Sequence, residues 1–515
     1  MKCGLKFIKD NIILIFILTF GLLLRTYNLG HESFWFDETI SSIAAISLSE
    51  NGAPIFPSGF FYSRAILNTF LIAVSFSFLG VNEFAGRFPS VIFGTLTILL
   101  VYHMGSKWGN KRVGLLAAIL VAFSVWEIAW SRQARMYQQL QFFYVLSLYL
   151  FYEYVNHRNK KHLYLLIASL AATILSHVFG YVLIGVFLLF LAASFLKEKH
   201  YNVLDKKNML YVALAFIFLF GLAYNRGVIS NVIQTQVNYY DEYIYFLKEN
   251  LGFALFFAVP GATVLLNRDW SKGLLLTISV IIPFYVIFFH VLLFAVRYLY
   301  FVIPVVLVLV AYFLDFVIDY VSEAISKKWG HFISDDNIQY SRSKIGPIVC
   351  SITMVLLIVL MSLSPAFTFI PKEAYDLGPN APRSDFRKAY SYVDSNMQPG
   401  DVVVSAWTAP AQFYLGKNDY WLAFNVMGTG MEPFTVENAT RDKYSNSIVI
   451  KDTKMLENVT CEHERGWIVT DTVAWYKISP QSRDFIESNT TKQLQDSTIR
   501  VYMWDYTNAS ACSTL

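Results

Sequence analysis

The stretch Trp35-Phe36-Asp37-Glu38-Thr39 places two adjacent carboxylates a few residues beyond an apolar run at 11–27. Charge this close to hydrocarbon is costly and is usually kept where it has a task. A carboxylate here has the chemistry of a general base. The structural alternative is a helix start, with Asp37 capping a helix over 38–50 and Glu38 in its first turn. The two roles are compatible. Three arginines stand at the ends of later apolar runs: Arg132 and Arg135 in Ser131-Arg132-Gln133-Ala134-Arg135-Met136-Tyr137, and Arg297, followed by Tyr298. A guanidinium can grip a phosphate bidentately, against the alternative of snorkelling to ordinary headgroups. His177, in Ser176-His177-Val178-Phe179-Gly180, closes another run, where a helix-end role competes with a functional one. Glu127 lies one or two turns deeper than Arg132.

These residues are positioned by membrane segments. Of 515 residues, 55% are hydrophobic and 15% charged, with a mean hydropathy of +0.45, whereas soluble chains carry roughly 25% charged residues. A helix needs about 20 apolar residues to cross a bilayer. Eleven runs meet this: 11–27, 88–106, 112–130, 139–155, 163–180, 181–196, 209–225, 251–266, 273–292, 298–320 and 346–364. A twelfth, 63–80, is interrupted by Arg64, Asn68, Thr69, Ser75 and Ser77. Basic loops at 2–9, 107–112, 158–161, 197–207, 268–272 and 327–344 alternate with basic-poor ones only if 63–80 does not cross. The rule that cytoplasmic loops are rich in Lys and Arg therefore makes it an interfacial helix. The N-terminus is then cytoplasmic, the first outer loop runs over 28–87, and Asp37, Arg135, Arg297 and His177 share the outer face.

The expected architecture is an all-α polytopic membrane domain over 1–370, with about 11 transmembrane helices, followed by a small extracytoplasmic α/β domain over 371–515. In the latter, 384–396 and 481–489 read as helices, and 401–405, 466–471 and 498–504 as strands. It carries four Asn-x-Ser/Thr sequons, at Asn438, Asn458, Asn489 and Asn508, and the cysteines Cys461 and Cys512, which an oxidising compartment would allow to pair. A net charge of +4 with no basic stripe argues against nucleic acid. No Gly-rich phosphate loop or metal-spaced His/Cys cluster lies in the C-terminal domain.

Trp-Phe-Asp-Glu after the first span, Glu83-Phe84-Ala85-Gly86-Arg87-Phe88-Pro89-Ser90 opening the second, the Arg132–Arg135 loop, and Arg297-Tyr298 with Pro304 together resemble the GT-C superfamily. The likeness is to its branch of protein O-mannosyltransferases and lipid-A aminoarabinose transferases, and it spans roughly residues 1–320. It implies an inverting glycosyltransferase that moves a sugar, of mannose type by family default, from a polyprenyl- or dolichyl-phosphate carrier. The acceptor would be a protein, a protein- or lipid-linked glycan, or a lipid on the outer face of a plasma membrane, which the sequons suggest is archaeal. It implies Asp37 as catalytic base with Glu38 in support. Arg135, Arg297, Arg132 and Tyr298 become the candidates for binding the donor phosphate, with His177 and Glu127 as further site candidates. Relatives often carry a second acid near the positions of Gln133 or Tyr137, which this chain lacks. Paired acids from two loops would suit a divalent cation, so a metal is neither required nor excluded.

Two other readings stand beside this one. An oligosaccharyltransferase shares the superfamily and the outer-loop acid, but its Trp-Trp-Asp-Tyr-Gly run is absent. A transporter of a lipid-linked or small anionic substrate would be expected to show inverted repeats and midplane charges, and here the ionisable residues crowd the outer edge.

Overall fold

The computed structural model describes residues 2–197, 236–330, 363–372, 384–423, 435–438 and 440–506, with single helical positions at 221, 348, 352, 355, 356 and 359–361. Most of the expected spans 209–225 and 346–364 lies outside these residues, as do Asn508 and Cys512. The helices are α1 (Lys2–Thr26), α2 (Phe36–Asn51), α3 (Ile66–Leu79), α4 (Glu83–Trp108), α5 (Lys111–Phe123), α6 (Val125–Ser131), α7 (Tyr137–His157), α8 (Lys160–Ser176), α9 (Val182–Lys197), α10 (Tyr240–Arg268), α11 (Trp270–His290) and α12 (Ile303–Gly330). Short 3₁₀ turns cover Val178–Tyr181 and Val296–Val302. Among the described residues four helices are long and apolar enough to cross a membrane, or five if the bent pair Tyr240–Gly252 and Ala254–Arg268 is one span.

The chain divides into two compact units. The helical unit comprises Met1–Tyr27, Ser90–Arg132 and Met136–Ala374, and the sheet unit Asn28–Pro89, Gln133–Arg135 and Tyr375–Leu515. The boundary therefore differs from a single cut at 370, because the first loop belongs with the C-terminal region. Within the sheet unit the Phe34 ring meets Phe413 (centroids 5.3 Å apart) and Phe36 meets Trp407 (4.7 Å). The Tyr414 hydroxyl donates to Glu83 Oε1 (2.8 Å) and accepts from the Phe34 N–H (2.6 Å).

The apolar run 112–130 is broken in the helical unit. Ser124 is extended (φ −63°, ψ 127°), which ends α5 and starts α6. A break leaves carbonyl and N–H groups that must find partners. Buried Arg25 donates to the carbonyls of Val121 and Ala122 (both 3.1 Å) at the end of α5. The Val125 N–H donates to Ala366 O (2.9 Å) and the Thr368 N–H to Phe123 O (2.8 Å). Hydropathy does not reveal such a break, since Val121–Phe123 before Ser124 and Val125–Trp126 after it are all apolar.

The sheet unit contains α13 (Phe386–Asn396), α14 (Thr408–Tyr414), α15 (Thr453–Glu462), α16 (Thr472–Lys477) and α17 (Pro480–Asn489). Its strands are β1 (Val402–Ser405), β2 (Tyr420–Leu422), β3 (Thr435–Val436), β4 (Arg441–Asp442), β5 (Ile448–Ile450), β6 (Arg465–Asp471), β7 (Thr491–Gln495) and β8 (Ile499–Asp505), in the order β3-β4-β5-β2-β1-β6-β8-β7. The pairs β1/β2, β1/β6 and β2/β5 are parallel and the rest antiparallel. β1 is buried on both faces and reads as a continuous Val run, the pattern of a central parallel strand. Val404, Ile468 and Trp504 pack on one side, Val403, Trp467 and Val501 on the other. Cys461, in α15, is disulfide-bonded. Asn438 and Asn458 are exposed, and Asn489 is half-buried at the end of α17.

Candidate active site

Asp37 is the second residue of α2, and the cap position belongs to Trp35, so Asp37 is not the helix cap. Its side chain is 19% exposed and has Arg135 as partner, with Nη2 at 3.6 Å from Oδ2. Arg135 Nη1 also donates to the Asp37 carbonyl and to Ser41 Oγ, each at 2.8 Å. One guanidinium thus holds the backbone and the carboxylate of the same residue. The first-turn location adds the favourable end of the helix dipole to an anion there.

Glu38 has a different position from its neighbour. It is fully buried, and its Oε1 accepts from Arg87 Nε (2.9 Å) and the Ala134 N–H (2.7 Å). Its Oε2 accepts from Arg87 Nη2 (2.8 Å) and the Trp35 N–H (3.4 Å). Arg87 spends its other N–H groups on the carbonyls of Leu29 (2.9 Å), Glu32 (3.0 Å) and Ser33 (3.1 Å). All five donors of the guanidinium are thereby matched. Glu38 is therefore a structural anchor joining 29–38, the start of α4 and the loop 133–135, and it has no lone pair left for a proton or a metal. The Glu83–Arg87 motif serves the same packing, since a Cβ at Gly86 would lie 2.5 Å from the Phe34 ring.

A divalent cation calls for several oxygen ligands. Glu38 is saturated, and Asp37 faces a cation already. Among the described residues no group of three or more His, Cys, Asp or Glu side chains is placed to hold a metal ion. Among the described residues, the side chains around Asp37 do not fit a divalent cation.

The helical unit gathers a second set. Arg297, in the 3₁₀ turn Val296–Val302, donates from Nε to the Tyr137 hydroxyl (3.0 Å). The Tyr137 ring meets His177 (5.7 Å), which in turn meets Phe179 (4.6 Å) and Tyr298 (6.3 Å). His177 Nδ1 accepts the Phe179 N–H (3.2 Å), so it caps the turn Val178–Tyr181 while lining the cluster. Arg297, Tyr298 and His177 are thus brought together.

Two candidates have structural posts instead. Arg132 is buried, and its Nη1 lies 3.3, 3.2 and 2.8 Å from the carbonyls of Leu24, Arg25 and Tyr27 at the end of α1. A cation there satisfies orphan carbonyls and the helix dipole, which leaves it unsuited to a headgroup phosphate. Glu127 is fully buried, with Oε1 accepting from Gln141 (2.9 Å) and Oε2 from Tyr300 (3.1 Å), so it is not available as a base. Sequence reasoning missed Arg25, Gln141 and Tyr300, whose only signal is polarity inside apolar runs, and met Arg87 only as a member of the motif 83–90.

Residues 63–224 match the family model for dolichyl-phosphate-mannose-protein mannosyltransferases. A protein of Aquifex aeolicus (strain VF5) is 31% identical over 192 residues, a match covering 35% of this chain and 38% of the relative. Among solved structures, ArnT from Cupriavidus metallidurans bound to undecaprenyl phosphate superposes with a TM-score of 0.65 at 12% identity, covering 98% of this chain and 99% of that one. The Archaeoglobus fulgidus oligosaccharyltransferase in its apo form gives 0.61 at 14% identity, covering 93% and 72%. The chain therefore shares the fold of these two solved structures, and its residues 63–224 are similar to that mannosyltransferase family.

Proposed function

We propose that the protein is an inverting glycosyltransferase that uses a polyprenyl-phosphate sugar, with Asp37 as the catalytic base. The observation that carries this is the state of the two acids: Glu38 is consumed by Arg87 and backbone N–H groups, while Asp37 keeps an exposed edge and is oriented by Arg135. In the reaction an acceptor hydroxyl oxygen bonds to the anomeric carbon as the carbon–oxygen bond to the carrier breaks. The bond's electron pair leaves on the carrier phosphate, and the hydroxyl proton passes to Asp37. Phosphate is a good leaving group, so cationic stabilisation replaces a general acid.

Arg297, held by Tyr137 with Tyr298 and His177 beside it, is the group we assign to that phosphate. Arg135 serves Asp37 in this scheme. A carrier of this chemical class is bound in the ArnT structure. The family description supports mannose as the sugar, and a hydroxyl-bearing acceptor follows from the base.

The test is turnover of a polyprenyl-phosphate sugar by variants that extract and melt like the parent. Asp37→Asn keeps shape and helix position and removes basicity, so turnover should fall by about 10²–10⁴-fold. Arg135→Ala should lower turnover in the same direction. Asp37→Asn activity within a few-fold of the parent would sink the assignment.

A further inference from the structure

The helical unit holds a buried polar cluster that the proposed chemistry leaves unused: Glu127 on α6, Gln138 and Gln141 on α7, and Tyr300 in the 3₁₀ turn Val296–Val302. Gln141 spends both amide protons, donating from Nε2 to Glu127 Oε1 and to the Tyr300 carbonyl, each at 2.9 Å. Its Oε1 accepts from Gln138 Nε2 (2.7 Å). The Tyr300 hydroxyl lies 2.5 Å from Gln138 Oε1 and 3.1 Å from Glu127 Oε2. Buried polar groups are costly unless partnered, and a closed network of this kind fixes one geometry.

What it fixes is the element that carries Arg297. A 3₁₀ helix has three residues per turn, so Arg297 and Tyr300 lie one above the other on the same face. Gln141 holds the backbone of Tyr300, while Glu127 and Gln138 hold its hydroxyl. Tyr137, the partner of Arg297, stands one turn before Gln141 on α7, on the same helix face. The Trp130 ring spans the two, 5.5 Å from Tyr137 and 6.3 Å from Tyr300.

We propose that Glu127 is a positioning residue for Arg297: through Tyr300 and Gln141 it sets the 3₁₀ turn so that the guanidinium is held ready for a phosphate. This rests on the assignment of Arg297 to the carrier phosphate.

The experiment uses the full chain in detergent with undecaprenyl phosphate as the probe, and reads affinity and melting together. Glu127→Ala should weaken binding about tenfold, within the range of coupling between linked residues. Glu127→Gln, which still offers an acceptor to Gln141 and a donor to Tyr300, should restore most of it. Tyr300→Phe, a milder cut, should show a smaller loss. Neither Glu127→Ala nor Tyr300→Phe should weaken binding further in an Arg297→Ala background. Penalties that multiply with Arg297→Ala, or equal losses in the Gln and Ala variants, would overturn the positioning role. If Arg297→Ala weakens binding but the Glu127 and Tyr300 variants do not, only this inference falls. If Arg297→Ala binds like the parent, the phosphate assignment itself falls, and this inference with it.

Discussion

Two acidic residues side by side have opposite fates because a helix turns about 100° per residue. That step carries Asp37 toward Arg135 and an open edge, and Glu38 into a closed pocket of donors. The consequence is measurable. Glu38→Gln leaves Arg87 buried with its countercharge gone, and breaking a buried pair from one side costs about 3–5 kcal/mol. The sheet unit of Glu38→Gln should therefore melt well below the parent, whereas Asp37→Asn should melt like it. Equal melting of Glu38→Gln and the parent would disprove the anchor. The resemblance made Asp37 the base and Glu38 its support, but the anchoring role of Glu38 was not legible, since its partners come from positions 35, 87 and 134. Arg132 was illegible for the same reason. A guanidinium that caps α1 from 105 or more residues away looks, in sequence, the same as one waiting for a phosphate.

Elements built from continuous runs were legible, and those built from short pieces were not. β1, β6 and β8 stand out as apolar stretches within a residue or so of their observed ends. β3 and β4 have two residues each, and β2 and β5 three, too few to show a period. The β7–β8 turn hides its own anchor. Asp496 Oδ1 accepts from the N–H groups of Thr498 (2.7 Å) and Ile499 (3.0 Å), and Oδ2 from Lys388 Nζ (2.9 Å). Burial works to raise this carboxyl's pKa, but those hydrogen bonds outweigh it and hold the group well below the usual carboxylate range. A depressed folded pKa means stability present above the unfolded value, about 3.9, and lost as pH falls toward the folded one. The sheet unit should lose stability on acidification below about pH 4, and Asp496→Asn should flatten that loss. A variant whose melting falls between pH 5 and pH 3 as steeply as the parent's would refute the anchor.

At the scale of the whole chain, helix directions in the helical unit decide what the first loop does. Moving along α1 from Gly21 to Arg25, the neighbouring positions on α4 run backwards: a Cβ at Gly21 would touch Ile98, while one at Gly94 would touch Arg25 Nε. α1 and α4 are therefore antiparallel, and residues 27 and 90 lie at the same end of the unit. If both helices cross a bilayer, the segment between them must make an even number of crossings, and the expectation is that α3 makes none. Its build agrees. Fourteen residues at 1.5 Å each reach about 21 Å, short of a hydrocarbon core of about 30 Å. Its buried side includes Asn68, Thr69 and Ser75, whereas Phe70, Val74 and Phe78 face outward, as suits a helix lying against lipid. At the other end of the unit the basic loops converge. Arg112 Nε and Arg268 Nη1 both pair with Asp315 (2.6 and 2.8 Å), and Lys107 pairs with Glu153 (2.6 Å) near the end of α7. Loops 107–112, 158–161 and 268–272 thus share one face, and the tendency of Lys and Arg to collect on the inner side predicts that this face is cytoplasmic. A cysteine replacing Asn110's neighbour Lys111 should resist an impermeant thiol reagent added to intact cells and react once they are opened. A cysteine at Ser58, in the first loop, should react from outside. Labelling of the Lys111→Cys position from outside would invert the orientation, and labelling of both from outside would break the parity on which the fold of this unit depends.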